Sequence, residues 1–269
     1  MKNYSILICP KCKSELERKD NSLVCKNNHC YDFAKQGYVN LLLVNQKNSK
    51  NPGDDEIMIN ARDLFLKEEY FSKLKDEIKK QIVGNNLTIL DAGCGSGYYS
   101  FGLENFGDLY LTDISKIAVK KASVNKNAIS FVSSIFELPI KDKMIDYILN
   151  IFAPKPQNEF LRVLKTGGTI IEVVPGKNHL KELKSLFFNE NMRENEEKFA
   201  YNELFLQKTN KLTYKATLKN NDDVIHLAQM TPYWYKGAGK VKDMLKNVNM
   251  LEITFDFIIN VLQKKNIDK

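Results

Sequence analysis

Short apolar runs alternate with segments of helical periodicity through the middle of the chain. The runs that follow residue 86 are 87–90, 108–113, 129–132, 145–149 and 169–174. Strands that alternate with helices form a parallel sheet covered on both faces, so this order predicts an α/β domain. Ahead of the first run, Ile57, Ala61, Leu64 and Phe65 recur at three- and four-residue spacing and predict an amphipathic helix; the same spacing continues to residue 82, which allows a second one.

The last third of the chain is harder to assign from its pattern. Residues 177–199 are strongly charged and predict a helix, whose apolar stripe is Leu180, Leu183, Leu186 and Phe187. Residues 211–230 alternate less regularly and predict no single element. The segment 230–235 then brings three aromatic residues and a proline together. These aromatics either line a cleft or pack the last strands, and the sequence does not separate the two.

A polar segment near residue 50 indicates a domain boundary. Residues 47–55 are polar and centre on Pro52-Gly53, which is typical of a linker. The chain has 269 residues, of which 43% are hydrophobic, enough for one full core and a small appendage. We therefore expect a small module at 1–50 and a large domain at 51–269.

The small module carries four potential zinc ligands. Cys9-Pro-Lys-Cys12 is followed by Cys25-Lys-Asn-Asn-His29, which gives two ligand pairs at zinc-finger spacing. Thiolates and imidazole suit tetrahedral Zn²⁺, and four protein ligands leave no open position, so the predicted role is structural. Metal binding would then supply folding free energy that so small a module lacks. Cys30 is an alternative to His29 as the fourth ligand, although we favour His29.

Composition and charge narrow the expected setting of the protein. Four of the five cysteines lie in the first 30 residues, and no apolar run is long enough for a membrane span or a signal peptide. We therefore expect a soluble, cytoplasmic protein with no membrane partner, whose cysteines bind metal. The formal net charge is +7, and residues 1–53 hold nine Lys or Arg against four acids. Such a surface suits a polyanion, but Lys is abundant throughout the chain and could explain it equally well.

A glycine-rich segment after the first predicted strand indicates a cofactor site. Asp91-Ala-Gly-Cys-Gly-Ser-Gly97 has glycines at alternate positions, which let the backbone approach a ligand without a pyrophosphate. Asp113 ends the next strand, where a carboxylate can accept hydrogen bonds from ribose hydroxyls. This pattern points to S-adenosylmethionine (SAM). The predicted cofactor-contacting residues are Asp91, Gly93, Gly95, Gly97, Tyr98, Tyr99, Asp113, Ser134 and His179.

Three segments further along the chain complete the predicted site. Ser134 lies where such folds enclose adenine, and Asn150 and Phe152 end the fourth predicted strand, where a substrate would meet the methyl group. His179 follows the fifth strand and faces the same edge of the sheet. Phe152 could also be an ordinary core aromatic, and His179 a structural histidine.

With these residues in view, the chain resembles the bacterial family of 23S rRNA (guanine-N1)-methyltransferases of the RlmA (RrmA) type. The motifs that carry the resemblance are the Cys9 to His29 zinc knuckle, 31–41, Asn51-Pro-Gly-Asp54, 91–99, Asp113-Ile-Ser-Lys116, Leu164-Lys-Thr-Gly-Gly168, 175–180 and Gln229-Met-Thr-Pro232. The glycine loop and Leu164-Lys-Thr-Gly-Gly168 are general to SAM enzymes. The zinc knuckle joined to Gly37-Tyr-Val-Asn-Leu41 is far more particular to this family.

The resemblance implies a Rossmann-like class I SAM-dependent methyltransferase domain behind a zinc module that grips RNA. It further implies methylation of N1 of one of two neighbouring guanines in a 23S rRNA hairpin loop, and a homodimer. Asn150 and Phe152 are then expected to orient and stack the target base. The sequence does not identify the general base that removes the N1 proton. Two other hypotheses are a SAM enzyme for another RNA or a small molecule, and an RNA-binding protein without methyl transfer.

Overall fold

The computed structural model describes residues 2–46, 53–187, 203–236 and 239–265. Most of the predicted linker, and the part of the predicted charged helix beyond Phe187, lie outside the described residues. The N-terminal region contains a three-stranded antiparallel sheet, β1 (Leu16–Lys19), β2 (Ser22–Cys25) and β3 (Cys30–Asp32). Its first hairpin turns at Asp20, which takes a left-handed φ of 50° that aspartate tolerates.

The remaining strands form one eight-stranded sheet. They are β4 (Val39–Asn40), β5 (Leu87–Ala92), β6 (Gly107–Asp113), β7 (Ile129–Val132), β8 (Ile145–Ile151), β9 (Leu164–Pro175), β10 (Leu204–Leu218) and β11 (Leu251–Lys264). The order across the sheet is β10-β11-β9-β8-β5-β6-β7-β4, parallel from β9 to β4 and antiparallel at β10 and β11. The predicted α/β class and its five parallel strands are confirmed.

Eight α-helices lie within the described residues. They are α1 (Glu56–Lys67), α2 (Ser72–Lys79), α3 (Lys116–Ala122), α4 (Gln157–Val163), α5 (Lys181–Phe187), α6 (Asn221–Gln229), α7 (Pro232–Lys236) and α8 (Gly239–Leu245). Short 3₁₀ turns occur at Val44–Gln46 and Leu103–Asn105. No helix in these parts of the chain combines the length and the apolar character needed to cross a lipid bilayer.

Residues 211–230, whose pattern predicts no single element, contain the end of β10 and all of α6. As an edge strand, β10 exposes one face to solvent, and its polar residues hid the strand from a search for apolar runs. In α1 the predicted stripe is also shifted: Ile57 and Leu64 are exposed, whereas Ile59 and Leu66 are buried beside Ala61 and Phe65.

The small N-terminal sheet packs against one face of the large one. Leu7 and Leu23 are fully buried in the same apolar cluster as Tyr110 and Ile140 of the large domain. Leu7 also forms an antiparallel bridge with Ile140, and β4 adds a parallel strand to the edge of the large sheet at β7. Burial at this junction removes apolar surface from water, which stabilises the attachment.

Candidate active site and zinc centre

The four predicted zinc ligands converge in the structure. The ligand atoms of Cys9, Cys12, Cys25 and His29 all lie within 4.8 Å of one another. The Sγ atoms of Cys12 and Cys25 are 3.7 Å apart, and Nδ1 of His29 lies 3.4 Å from the Sγ atoms of Cys9 and Cys25. Tetrahedral Zn²⁺ with Zn–S bonds of about 2.3 Å places two sulfurs about 3.8 Å apart, so the cluster fits this ion.

The fourth ligand is His29 by position. Cys30 starts β3 with its thiol exposed and directed to the carboxylate of Asp32, at 3.7 Å, and it is not part of the four-residue cluster. Tyr31 supports the centre from outside, because its hydroxyl lies 3.2 Å from Sγ of Cys9. The zinc in this centre is structural, since the four ligands fill a tetrahedral shell.

A deep cleft opens at the carboxyl ends of the parallel strands, where ligands bind in open α/β sheets. Its volume is about 540 Å³, within the usual range for a small-molecule site. Strands β5, β6 and β7 end on one side of it, and β8 and β9 end on the other. After the contacts that the sequence predicts for the segments following these strands, we name these the cofactor side and the substrate side of the cleft.

The glycine loop after β5 forms the centre of the cleft floor. Gly93 has a φ of +84°, and a Cβ there would lie 2.9 Å from Cβ of Ala153, so only glycine fits between the loops after β5 and β8. Asp91 lies below the loop and accepts a hydrogen bond from the Ser100 hydroxyl. Burial raises the pKa of Asp91 to about 7, and the Asp113 carboxylate adds to this effect.

Asp113 at the end of β6 is fixed with its carboxylate at the cleft. One carboxylate oxygen accepts from the backbone N–H of Ser115 at 2.8 Å, and the other from that of Gly95 at 3.0 Å. Burial raises the pKa of this carboxyl, while the two backbone hydrogen bonds act against that rise. Each oxygen keeps a further lone pair, so the group can accept from a ligand hydroxyl.

The other predicted cofactor residues also line the cleft, apart from one. Tyr98 donates to Glu69 at 2.9 Å and meets the ring of Tyr99 edge-on at 5.1 Å. Ser134 follows β7 and is buried, with its Oγ accepting from the backbone N–H of Phe136 at 3.2 Å. The cleft-lining residues among those predicted are Asp91, Gly93, Gly95, Tyr98, Tyr99, Asp113, Ser134, Phe152 and His179. Gly97 instead packs under the loop against Ala122 of α3.

Phe152 occupies the substrate side in a strained conformation. Its φ is +53°, which costs a residue other than glycine of order 1–3 kcal/mol. The residue is 44% exposed although it follows a buried strand, and its ring lies 5.9 Å from that of Phe257. A strained backbone that presents an aromatic ring to a cleft is typical of a functional site.

Asn150 does not reach the cleft, so its predicted contact with the target base is corrected. Side chains alternate across a strand, and Asn150 faces the opposite side of the sheet from Ile151. It is buried and donates to the carbonyl of Pro154 at 2.9 Å. Beneath it, Lys155 pairs with the buried Glu172 of β9 at 2.9 Å. Both contacts hold the loop that presents Phe152.

His179 lies beside Phe152, away from the cofactor side. The two rings are nearly parallel with centroids 6.2 Å apart, and Phe257 lies 4.8 Å from the imidazole. Nδ1 of His179 accepts from the backbone N–H of Asp256 at 3.2 Å. Burial lowers the pKa of His179 to about 4, with Lys184 adding to the effect, so the imidazole is neutral at neutral pH.

The roof of the cleft was missed from the sequence. Arg62 of α1 pairs with Asp54 at 2.6 Å and hydrogen-bonds the carbonyl of Met230, which links α1 to the segment after α6. The segment 230–233 also lines the cleft. Of the three aromatics that the sequence could assign either to a cleft or to strand packing, Tyr233 therefore lines the cleft. The signal that could have found the roof is Arg62 itself, a charged residue inside an otherwise apolar helical stripe.

Comparison with known proteins finds a matching family model for the N-terminal module and another for the large domain. A family model described as "RlmA, N-terminal" matches residues 7–50, and one described as "Methyltransferase domain" matches residues 84–247. A Streptomyces fradiae protein named 23S rRNA (guanine(748)-N(1))-methyltransferase is 35% identical over 66% of each chain. The Bacillus subtilis protein YxjB, provisionally named 23S rRNA (guanine-N(1)-)-methyltransferase, is 30% identical over 97% of this chain and 98% of its own.

A solved structure supports the fold alone. A chain from the complex between the Haloferax volcanii Trm112 methyltransferase activator and a methyltransferase aligns with a TM-score of 0.50 at 19% identity. The alignment covers 78% of this chain and 95% of that one. At this level of identity, the likeness shows a shared fold and no substrate.

Proposed function

Since the chain belongs to the RlmA-type family of 23S rRNA (guanine-N1)-methyltransferases, we propose that it methylates N1 of a guanine in a hairpin loop of 23S rRNA, with SAM as the methyl donor. The observation that carries the proposal is the packing of a zinc module against the sheet whose strand ends form a cleft with a glycine-loop floor and an exposed aromatic. This combination would offer one surface to RNA phosphates and another to the target base.

The residues of the cofactor side fit SAM. Asp113 would accept from the ribose hydroxyls, Ser134 would border the adenine, and the backbone of Gly93 and Gly95 would let the methionine part approach. Asp91, Gly97, Tyr98 and Tyr99 complete this proposed set and shape the loop. When bound, SAM supplies an electrophilic methyl group, so the task left to the protein is chiefly to position the base.

On the substrate side, we propose that the target base stacks on the ring of Phe152. Unpaired loop bases are commonly held by stacking on aromatic side chains, and Phe152 offers an exposed ring at the end of β8. Asn150 has a positioning role, because its hydrogen bond to Pro154 fixes the loop that carries this ring. This division needs no direct contact between Asn150 and the base.

The module at 1–50 is proposed to bind the RNA backbone, while the domain at 51–269 carries the cleft. Lys11, Lys19, Lys26 and Lys35 are exposed on the module and have no ion-pair partner among the described residues. Cations free of protein partners can neutralise phosphates and release counterions. The proposal also includes action in the cytoplasm and the homodimer implied by the family resemblance, which light scattering of the purified protein would test.

Primer extension on methylated RNA tests the proposal directly. The purified protein would be incubated with unmodified 23S rRNA and SAM, and reverse transcription would be run across the hairpin loop. A methyl group on N1 blocks the Watson–Crick edge, so we expect one SAM-dependent stop next to a guanine, and the stop also identifies which of the two neighbouring guanines is modified. The same reaction with SAM labelled in its methyl group measures methyl transfer independently of the stop. Transfer of label to the RNA without a stop would reject the N1 position, and transfer of label to no RNA would reject the substrate class.

A further inference from the structure

The loop between β9 and α5 holds His179 in one orientation and one tautomer. The carboxylate of Asp256 on β11 accepts from the backbone N–H of Asn178 at 2.9 Å and from the Thr213 hydroxyl at 2.7 Å. The backbone N–H of the same Asp256 donates to Nδ1 of His179. Because a backbone N–H can only donate, Nδ1 must be the unprotonated nitrogen, and the proton of the neutral ring is on Nε2.

The protonated nitrogen faces the cleft. Nε2 of His179 has no hydrogen-bond partner among the described residues. The only side-chain N or O atom in those residues that is both fully buried and unpartnered is the Ser130 hydroxyl, so Nε2 retains solvent contact. His179 lines the cleft and is otherwise enclosed by Phe71, Phe255 and Phe257. A single N–H donor therefore projects from an aromatic wall into the substrate side.

Topology separates this donor from the cofactor side. His179 follows β9, whereas Asp113 ends β6, and β8 and β5 lie between these strands. Adjacent strands are about 4.8 Å apart, so the two strand ends are about 14 Å apart. His179 instead adjoins Phe152, the ring assigned to the target base.

Guanine needs such a donor when N1 loses its proton. The proton leaves to water, and the charge that remains on the base is shared between N1 and O6. A neutral imidazole with a fixed N–H can hydrogen-bond the charged oxygen without transferring its own proton. A preorganised donor of this kind accelerates reactions by about 10²–10³-fold where its removal has been measured.

We propose that Nε2–H of His179 donates a hydrogen bond to O6 of the target guanine and stabilises the base after N1 has lost its proton. This inference rests on the proposed function and adds to it the group that recognises the guanine oxygen. It also moves His179 from the predicted cofactor contacts to the substrate contacts.

Three variants test the assignment. His179→Phe keeps an aromatic ring and removes the donor, whereas His179→Gln replaces the ring N–H with an amide N–H. His226→Phe is a matched control, because His226 lies on α6 and is not among the residues that line the cleft. In single-turnover methylation of the rRNA hairpin, we expect His179→Phe to be about 100-fold slower than wild type. His179→Gln should recover at least a tenth of the wild-type rate, and His226→Phe should match wild type. SAM affinity measured by calorimetry should change less than threefold in all three.

A binding measurement separates hydrogen bonding from a merely structural role. A hairpin with 2-aminopurine at the target position lacks O6 and the N1 proton but keeps the purine ring and the 2-amino group. Wild type should bind the guanine hairpin several-fold more tightly than this analogue, and His179→Phe should show a clearly smaller preference, because the contact to O6 is gone. Thermal melting of each variant shows whether it is folded.

The outcomes distinguish the inference from the proposed function. If wild type methylates the guanine and His179→Phe does so at the same rate, or discriminates 2-aminopurine as wild type does, the His179 assignment is wrong while the function stands. Loss of SAM binding in His179→Phe would return the residue to the cofactor site and also overturn the assignment. No methylation by wild type would reject the proposed function itself.

Discussion

The zinc module and the cleft each hold a small ligand, but the fold depends on the ligand in different ways. In the module, the ligands come from within 21 residues and support strands of three or four residues. In the cleft, the contacts come from loops after five parallel strands and from α1, over a sheet with a full apolar core. Loss of the zinc should therefore unfold the module, whereas loss of a ligand-binding group in the cleft should lower the affinity for the ligand and leave the domain folded.

Removing one zinc ligand should have the largest effect. We expect Cys25→Ser to reduce bound zinc from about one ion per chain to almost none, and to unfold the module, because binding of structural zinc supplies roughly 10 kcal/mol or more of folding free energy in small zinc domains. Zinc content by mass spectrometry and amide hydrogen exchange of residues 5–33 would measure this. Cys30→Ser is the matched control and should keep its zinc, since Cys30 is outside the cluster. Zinc loss in Cys30→Ser but not in His29→Ala would reverse the choice of fourth ligand.

Removing the carboxylate at the cofactor side should weaken binding without unfolding the domain. A hydrogen bond to a charged group contributes about 1.5–3 kcal/mol, so Asp113→Asn should lower SAM affinity about 10- to 100-fold in calorimetry. Asp108→Asn, at the other end of β6, should leave the affinity unchanged. If Asp113→Asn lowered the melting temperature as strongly as the loss of zinc does, the contrast between the two regions would fail.

The same contrast explains how much could be predicted from the sequence. The zinc ligands and the glycine loop were predictable, because each set lies in one short segment whose spacing carries the geometry. Asn150 was misplaced because the pattern of β8 identifies a strand but does not say which face meets the cleft. The pairing of β4, only two residues long, carries no periodic signal. Arg62 stands out in the pattern of α1, but nothing in that pattern identifies its partner Met230, 168 residues away.

The titration of His179 should make the free energy of unfolding depend on pH. Its pKa is about 4 in the folded protein and about 6.5 when exposed, so only the unfolded chain takes up this proton between those values. Stability is therefore lost as the pH falls from about 6.5 to 4, by up to about 1.4 kcal/mol per unit. Urea unfolding of wild type and His179→Phe at several pH values would isolate this contribution, because the opposite effect of Asp91 is common to both. Equal pH slopes in the two proteins would show that His179 does not titrate in this way.

Truncating the exposed aromatic should affect the substrate step alone. Stacking of one base on an aromatic ring contributes about 1–3 kcal/mol, so Phe152→Ala should slow methylation of the hairpin about 10-fold or more and leave SAM affinity unchanged. Phe101→Ala removes a comparably exposed ring that does not line the cleft and should have no effect. An unchanged rate in Phe152→Ala would remove Phe152 from the substrate side.

Neutralising module lysines should have the smallest effect and should appear in the salt dependence. Lys19 and Lys35 are exposed, have no ion-pair partner within the described part of the chain and are separated by several residues from the zinc ligands, so we expect Lys19→Gln combined with Lys35→Gln to leave the metal site intact. Log affinity falls linearly as log salt concentration rises. If each lysine contacts one phosphate, this slope should become shallower by roughly 0.7–0.9 per lysine removed, and the affinity should drop several-fold at low salt. Lys120→Gln with Lys240→Gln changes the charge of the large domain equally and should leave the slope nearly unchanged. Equal slopes for both double variants would mean that the module's excess charge is general lysine abundance, and that the module binds RNA by other contacts or not at all.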